Sequence, residues 1–197
     1  MSIKLVNAVK IALNAEINQV TATLTMAFDA DPVARWMYPE PEQYLRCIPQ
    51  LFLALGASSF QAKAAYRTDD GSGAALWLPP GVAGDDDLLE TVVRDTIAET
   101  KQADVAALFE RTEHYRPQMP HWYLSLIGIE PWHRNKGIGA GLVKYVLRQC
   151  DQEHCAVYLW SSNPKNASFY QRHGFESLGT IQVGSSPPIF PMVRYVR

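Results

Sequence analysis

Charge of one sign is scarce in this sequence: 18 Lys and Arg stand against 20 Asp and Glu, for a net charge of −2. A protein that grips nucleic acid by its phosphates needs a basic field. The one local basic cluster, His133, Arg134 and Lys136, has the size for a single diphosphate. Cysteine is scarce too, with only Cys47, Cys150 and Cys155. An odd number without framework spacing excludes a disulfide scaffold. Cys150, His154 and Cys155 are close in sequence, but no second ligand pair exists to close a tetrahedral site, so no metal is expected. Long apolar runs are missing as well: no stretch of about 18 apolar residues offers a membrane span. Lys4 and Lys10 frame short apolar stretches that lack the continuous core and cleavage site of a signal peptide. These absences predict a cytoplasmic protein with neither nucleic acid nor membrane as partner; a monomer or a homodimer is expected, and the sequence does not choose between them.

What is present is a globular composition, 47% apolar and 19% charged over 197 residues. That suits one domain spanning 1–197 with a sizeable core. Val20, Leu24, Ala27 and Phe28 predict a helix over 18–30, ended by Pro32. A second helix is expected over 42–57, closed by Gly56. Strand-like runs follow at 59–66 and 74–78, joined by the turn signal Asp69-Asp70-Gly71. After Pro79-Pro80-Gly81, residues 85–114 show helical periodicity in Leu88, Leu89, Val92, Val93, Ile97, Val105, Leu108 and Phe109, with 85–87 as a plausible N-cap. Pro117 and Pro120 stop this helical insert. Then come a mostly buried strand at 121–129, an amphipathic helix at 137–152, a strand at 156–161 and a short helix at 166–172 ended at Gly174. Two last strands are expected at 176–183 and 189–196, around the loop Gly184-Ser185-Ser186-Pro187-Pro188. The mixture predicts an α/β or α+β fold.

The turn Arg134-Asn135-Lys136-Gly137-Ile138-Gly139 links a strand to a helix. The first N–H groups of a helix have no intrahelical partner and carry the positive end of the macrodipole, so an anion is favoured there. Gly137 and Gly139 let the backbone approach a phosphate closely. A P-loop is excluded, because Lys136 precedes the glycine and no Ser or Thr follows. A dinucleotide fingerprint fits poorly: position 142 is Leu, and seven residues separate Ile129 from Gly137. Glycines that merely open a helix for close packing remain an alternative.

A second motif lies downstream: Asn163-Pro164-Lys165-Asn166-Ala167-Ser168-Phe169-Tyr170-Gln171-Arg172-His173-Gly174-Phe175. Alone, it reads as a helix that packs its aromatics and turns sharply. In this order the two motifs resemble those of the GNAT superfamily of acyl-CoA-dependent N-acyltransferases. Arg134, Gly137 and Gly139 resemble its Arg/Gln-x-x-Gly-x-Gly/Ala signature. Ile127-Gly128-Ile129-Glu130-Pro131 resembles the end of its fourth strand, and Asn163, Asn166, Tyr170, Gly174 and Phe175 resemble its second signature. The likeness covers 121–175, and the strand pattern extends it to about 58–197.

The resemblance implies a mixed, mostly antiparallel central sheet flanked by helices, with acetyl-CoA as acyl donor. It implies that the backbones of Ile127, Gly128 and Ile129 pair with the pantetheine arm like an added strand. One of those N–H groups would serve as oxyanion donor. The N–H groups of Asn135, Lys136, Gly137, Ile138, Gly139 and Ala140 would wrap the diphosphate beside Arg134. Asn163 or Asn166 would bond the pantetheine amides with Phe169 nearby, and Tyr170 would be general acid for the leaving thiolate. The acceptor, a small-molecule or peptide amine, would sit between 29–38 and 184–189. The insert 85–114 would be a lid or extra packing.

One departure matters. Many members carry a carboxylate base on the fourth or fifth strand, and this chain has Tyr123, Tyr158 and Trp160 there. The expectation is a water held by Tyr123 as proton acceptor, with His121, two residues away on the same face, as the reserve. A non-catalytic acyl-CoA-binding module is the alternative function that this departure leaves open.

Overall fold

The computed structural model describes residues 8–196. In chain order the elements are β1 (Val9–Ile11), α1 (Ile17–Ala27), α2 (Pro32–Met37), α3 (Pro41–Gln61), β2 (Ala65–Thr68), β3 (Gly73–Leu78), α4 (Asp86–Thr96), α5 (Glu99–Glu113), β4 (His121–Ile129), α6 (Ile138–Gln152), β5 (Ala156–Ser161), α7 (Ala167–Gln171), β6 (Glu176–Ser177) and β7 (Phe190–Arg194). They form a seven-stranded sheet in the order β1-β2-β3-β4-β5-β7-β6. β4 and β5 are parallel, and the other described pairs are antiparallel. The mixed, mostly antiparallel sheet flanked by helices is the architecture expected.

Two apolar layers sandwich the sheet. On one face α1, α3 and the α4–α5 insert bury Leu24, Ile48, Leu51 and Leu108 against Leu76 and Leu126. On the other, α6 buries Leu142, Val143 and Val146 against Trp77, Trp122 and Leu124. At roughly 1.5–3 kcal/mol for each fully buried large apolar side chain, these layers supply the main stabilisation.

Several boundaries differ from expectation, each for a packing reason. α3 does not end at Gly56 but runs to Gln61. A Cβ on Gly56 would run into Leu76 Cδ1, so this glycine lets the helix lie close to β3. The strand expected from 59 therefore begins only at Ala65. Pro32 does not merely end α1; it opens α2, with Asp31 as N-cap accepting from the N–H groups of Val33 and Ala34 at 3.0 and 3.1 Å. The insert is two helices, broken where Ile97 and Ala98 turn extended. Of the strand expected at 176–183, only Glu176–Ser177 pairs with β7, and Ile181 adds a single bridge to Ile189.

The feature that shapes the middle of the sheet is an irregularity in β4. Leu76 faces Leu126 while Trp77 faces Leu124, so Ser125 is one residue too many. Its hydroxyl donates to the Leu55 carbonyl at 3.0 Å. The parallel pairing of β4 with β5 is confined to His121–Ala156, Trp122–Val157 and Tyr123–Tyr158. Beyond that point the two strands part.

α1 crosses the freed half of β4 at Gly128, where a Cβ would lie 2.5 Å from Ala27 Cβ and 3.0 Å from Leu24 Cδ2. Ala27 cannot swing aside, so Gly128→Ala forces helix and strand apart. Overpacking of this kind costs about 1–3 kcal/mol. In a chain of this size that lowers Tm by roughly 2–12 °C, whereas a Tm within about 1 °C of the parent would show that α1 does not press on β4.

Candidate active site

The parted strands open a cleft of about 920 Å³. One wall is residues 124–129 of β4, and the other is residues 159–163 at the end of β5. The turn into α6 forms one end, and α7 with the α1–α2 connection closes the rest.

The bulge decides what β4 presents to this cleft. The Glu130 N–H donates to the Ser72 carbonyl at 2.9 Å, which continues the register pairing Gly73 with Ile129. By antiparallel alternation Gly128 and Leu126 bond to β3, while the backbone N–H and C=O of Ile127 and Ile129 turn away from it toward the cleft. These groups are an open strand edge in the middle of a sheet. An extended ligand with its own amides can pair with them.

At the cleft's end the chain takes two left-handed residues, Asn135 at φ 61° and Gly137 at φ 83°. Gly137 caps α6, and the N–H groups of Ile138, Gly139 and Ala140 that follow lack intrahelical acceptors. Nothing occupies the space where a Gly137 Cβ would project. Gly139 faces Phe169, whose Cζ would be 3.6 Å from an added Cβ, an ordinary van der Waals contact. Arg134 donates to the Ala27 carbonyl at 2.6 Å, tying the turn to the end of α1. Asn135, Gly137, Ile138, Gly139, Ala140 and Arg134 line the cleft, whereas Lys136 is exposed and does not. His133, already part of the basic cluster seen in the sequence, lines it too, as do Lys165 and Arg172, which were not picked out because charges from separate elements leave no local pattern. The result is an anion-binding end built from backbone amides and rimmed by side-chain cations.

Asn163, Asn166, Phe169 and Tyr170 all reach the cleft. The Asn163 side chain accepts from the Lys165 N–H at 3.0 Å and so shapes the entry to α7. Tyr170 is 5% exposed and packs edge-on against Phe175 at 5.8 Å between centroids. Burial raises its phenol above the ordinary range, and the nearby Asp31 charge adds to this, so Tyr170 holds its proton firmly.

Tyr123 and His121 are elsewhere. Both line a separate hollow of about 280 Å³ with Arg116 and Pro120. Tyr123 stacks on Tyr158 at 5.8 Å, and the Arg116 guanidinium sits 4.3 Å over its ring. Burial pushes its hydroxyl up to about 12. Trp160, which does line the cleft, packs on this cluster and stands between it and the open strands. The structure therefore does not bring the two expected proton acceptors to Tyr170. The bulge is the reason: the strict alternation that would carry Ile127 and Ile129 back to Tyr123 is interrupted at Ser125.

Asp31 is the residue that the search along the strands missed. Among the described residues lining the cleft it is the one carboxylate. One oxygen caps α2, and the other accepts a short hydrogen bond from the Ser162 hydroxyl at the end of β5. Burial raises its carboxyl above the usual carboxylate range, while Ser162 and the two capping N–H groups pull the other way. The sequence signal was the pair Asp31-Pro32, an N-cap followed by proline at the first helical position.

The insert is tied to α2 and to the segment before β7. Lys101 donates to the Trp36 carbonyl, the Trp36 indole donates to the Ser185 hydroxyl at 3.1 Å, and Arg111 donates to the Gln182 carbonyl at 3.0 Å. Among the described residues no helix is long and apolar enough to cross a membrane.

Comparisons with known proteins agree with this geometry. The family model described as an acetyltransferase (GNAT) domain matches residues 91–177. An uncharacterized N-acetyltransferase of Schizosaccharomyces pombe is 24% identical over 206 residues, covering 91% of this chain and 79% of the relative. Among solved structures, a histone acetyltransferase HPA2 and related acetyltransferase from Corynebacterium glutamicum superposes with a TM-score of 0.67 at 24% identity, covering 96% of both chains. Arylalkylamine N-acetyltransferase 2 from Aedes aegypti superposes with a TM-score of 0.66 at 11% identity, covering 96% of this chain and 99% of that one. The parted parallel strands, the amide-lined turn and these relatives agree: residues 91–177 match a GNAT acetyltransferase domain, and the chain as a whole resembles GNAT acetyltransferases.

Proposed function

We propose that this protein transfers the acetyl group of acetyl-CoA to a primary amine by direct attack in a ternary complex. The observation that carries the reading is the continuity of the cleft: the open edge at Ile127 and Ile129 leads into the amide turn at Gly137–Ala140. A pantetheine arm has amides for the first, and a diphosphate has charge for the second. The thioester would then lie where the strands part, near Tyr170.

Such a site needs no covalent enzyme intermediate, because a neutral amine attacks a thioester unaided once the two are held together. An N–H of the β4 edge would polarise the thioester carbonyl. Tyr170 would give its proton to the departing thiolate. The acceptor would approach from the side walled by Phe28, Asp31 and Trp160.

Free-thiol release from acetyl-CoA across a panel of amines is the direct test. Release that requires an amine supports the transferase; tight acetyl-CoA binding without release under any amine would favour a non-catalytic binding module. Acetyl-CoA at a hundred times its Kd should add about 2.7 kcal/mol, a rise in Tm of roughly 5–10 °C. Gly137→Glu should abolish that rise, whereas Gly137→Ala, which carries the backbone strain alone, should keep it. Equal shifts in both variants would remove the diphosphate from this turn. Tyr170→Phe should lower kcat on the order of 10²-fold while the acetyl-CoA shift stays intact. A parental kcat would leave Tyr170 as a packing aromatic.

A further inference from the structure

We propose that Asp31, on the α1–α2 connection, is the group that binds the acceptor's ammonium and takes the proton the nitrogen loses on acylation, with Ser162 holding the carboxylate in place. The inference rests on the acetyltransferase reading above and adds the residue that neither central strand supplies.

Three observations meet at this side chain. It is the one carboxylate among the described residues lining the cleft. It is close enough to Tyr170 for its charge to act on that hydroxyl, so it stands at the reacting end of the cleft and not at the diphosphate end. It is also held from two sides, by the Val33 and Ala34 N–H groups and by the Ser162 hydroxyl from the end of β5. Ser162 thereby ties the acceptor wall to the strand that parts from β4.

Capping alone does not account for this arrangement. An N-cap needs one oxygen toward the first helical turn. Here the second oxygen is turned to β5, and the carboxylate is drawn into a partly buried position that raises its pKa above the usual carboxylate range. The groups around it are Tyr170 from α7, Ser162 from β5, and Tyr44 from α3, whose ring carries the Arg35 guanidinium at 5.0 Å and also feels Asp29. A desolvated carboxylate beside aromatic surface is a good receptor for a substrate ammonium.

The step balances. The ammonium that docks on Asp31 first gives one proton to solvent through cleft water; the neutral amine that remains forms the C–N bond, and the carbonyl π pair moves to oxygen. As the carbonyl reforms, the C–S bond breaks, the nitrogen's proton passes to Asp31, and the thiolate takes the proton of Tyr170. Return of the proton from Asp31 to Tyr170 through cleft water restores both groups, so the products are the amide, the free thiol and the one proton released from the ammonium.

The test is the pH dependence of kcat/KM for two amines of different pKa, in the parent and in Asp31→Asn. Asparagine keeps the N-cap, so the variant retains its fold, checked by an unchanged acetyl-CoA thermal shift. The parent should show an acid limb whose midpoint lies above the usual carboxylate range and is the same for both amines. Asp31→Asn should remove that limb and lower kcat by about 10²-fold or more. Ser162→Ala should shift the limb without abolishing it. An Asp31→Asn variant within about threefold of the parent, or one that keeps the limb, overturns the assignment while leaving the transferase standing. No thiol release by the parent with any amine overturns both.

Discussion

The parting of β4 from β5 after Tyr123 is the constraint on which the rest depends. In a sheet that stays zipped, the N–H and C=O groups of Ile127 and Ile129 would be spent on the neighbouring strand. Here one extra residue at Ser125 ends the parallel pairing after three residue pairs. An unpaired strand edge inside a sheet is costly unless something supplies the missing bonds. The protein keeps that edge open by bracing it from behind: Ser125 is bonded to α3, and α1 lies directly on Gly128. The cleft, its depth and its direction toward the α6 turn all follow from this one interruption.

How far the sequence revealed this depends on the kind of signal. The helix at α6 and its glycine turn were legible because periodicity and chain order are local. So were β3, β4 and β5, while the antiparallel majority of the sheet followed from the family resemblance. Gly56 misled because a glycine that ends a helix and one that lets it touch a strand look the same until Leu76 is seen across the gap. β1 was missed because three residues carry no pattern. The Ser125 bulge is invisible to alternation, and its consequence was large: it separates Tyr123 and His121 from the cleft they were expected to serve. Asp31 and Ser162 are 131 positions apart and meet only in the fold.

The α4–α5 insert is also clearer in three dimensions than in sequence. It bonds to both segments that frame the proposed acceptor position, through Trp36 and Gln182. It reaches the sheet as well, where the buried Tyr158 hydroxyl donates to the Thr112 carbonyl at 2.7 Å. Each bond crosses between elements remote in sequence, so the insert holds the α1–α2 connection at a set distance from β5. That distance decides whether Ser162 can reach Asp31.

The electrostatics of the cleft make the two proposed proton transfers support each other. Tyr170 resists ionisation first because it is buried, and further because a negative Asp31 is near. A phenol in that state is a reluctant donor as long as the carboxylate keeps its charge. Once the carboxylate accepts the nitrogen's proton, its charge disappears, and the part of the resistance that came from it disappears as well. Tyr170 then becomes a better acid at the moment the thiolate needs a proton. In the proposed reaction the Tyr170 phenol on α7 and the carboxylate on the α1–α2 connection thus form one coupled pair. A base beside Tyr123, on the far side of Trp160, would lack that coupling.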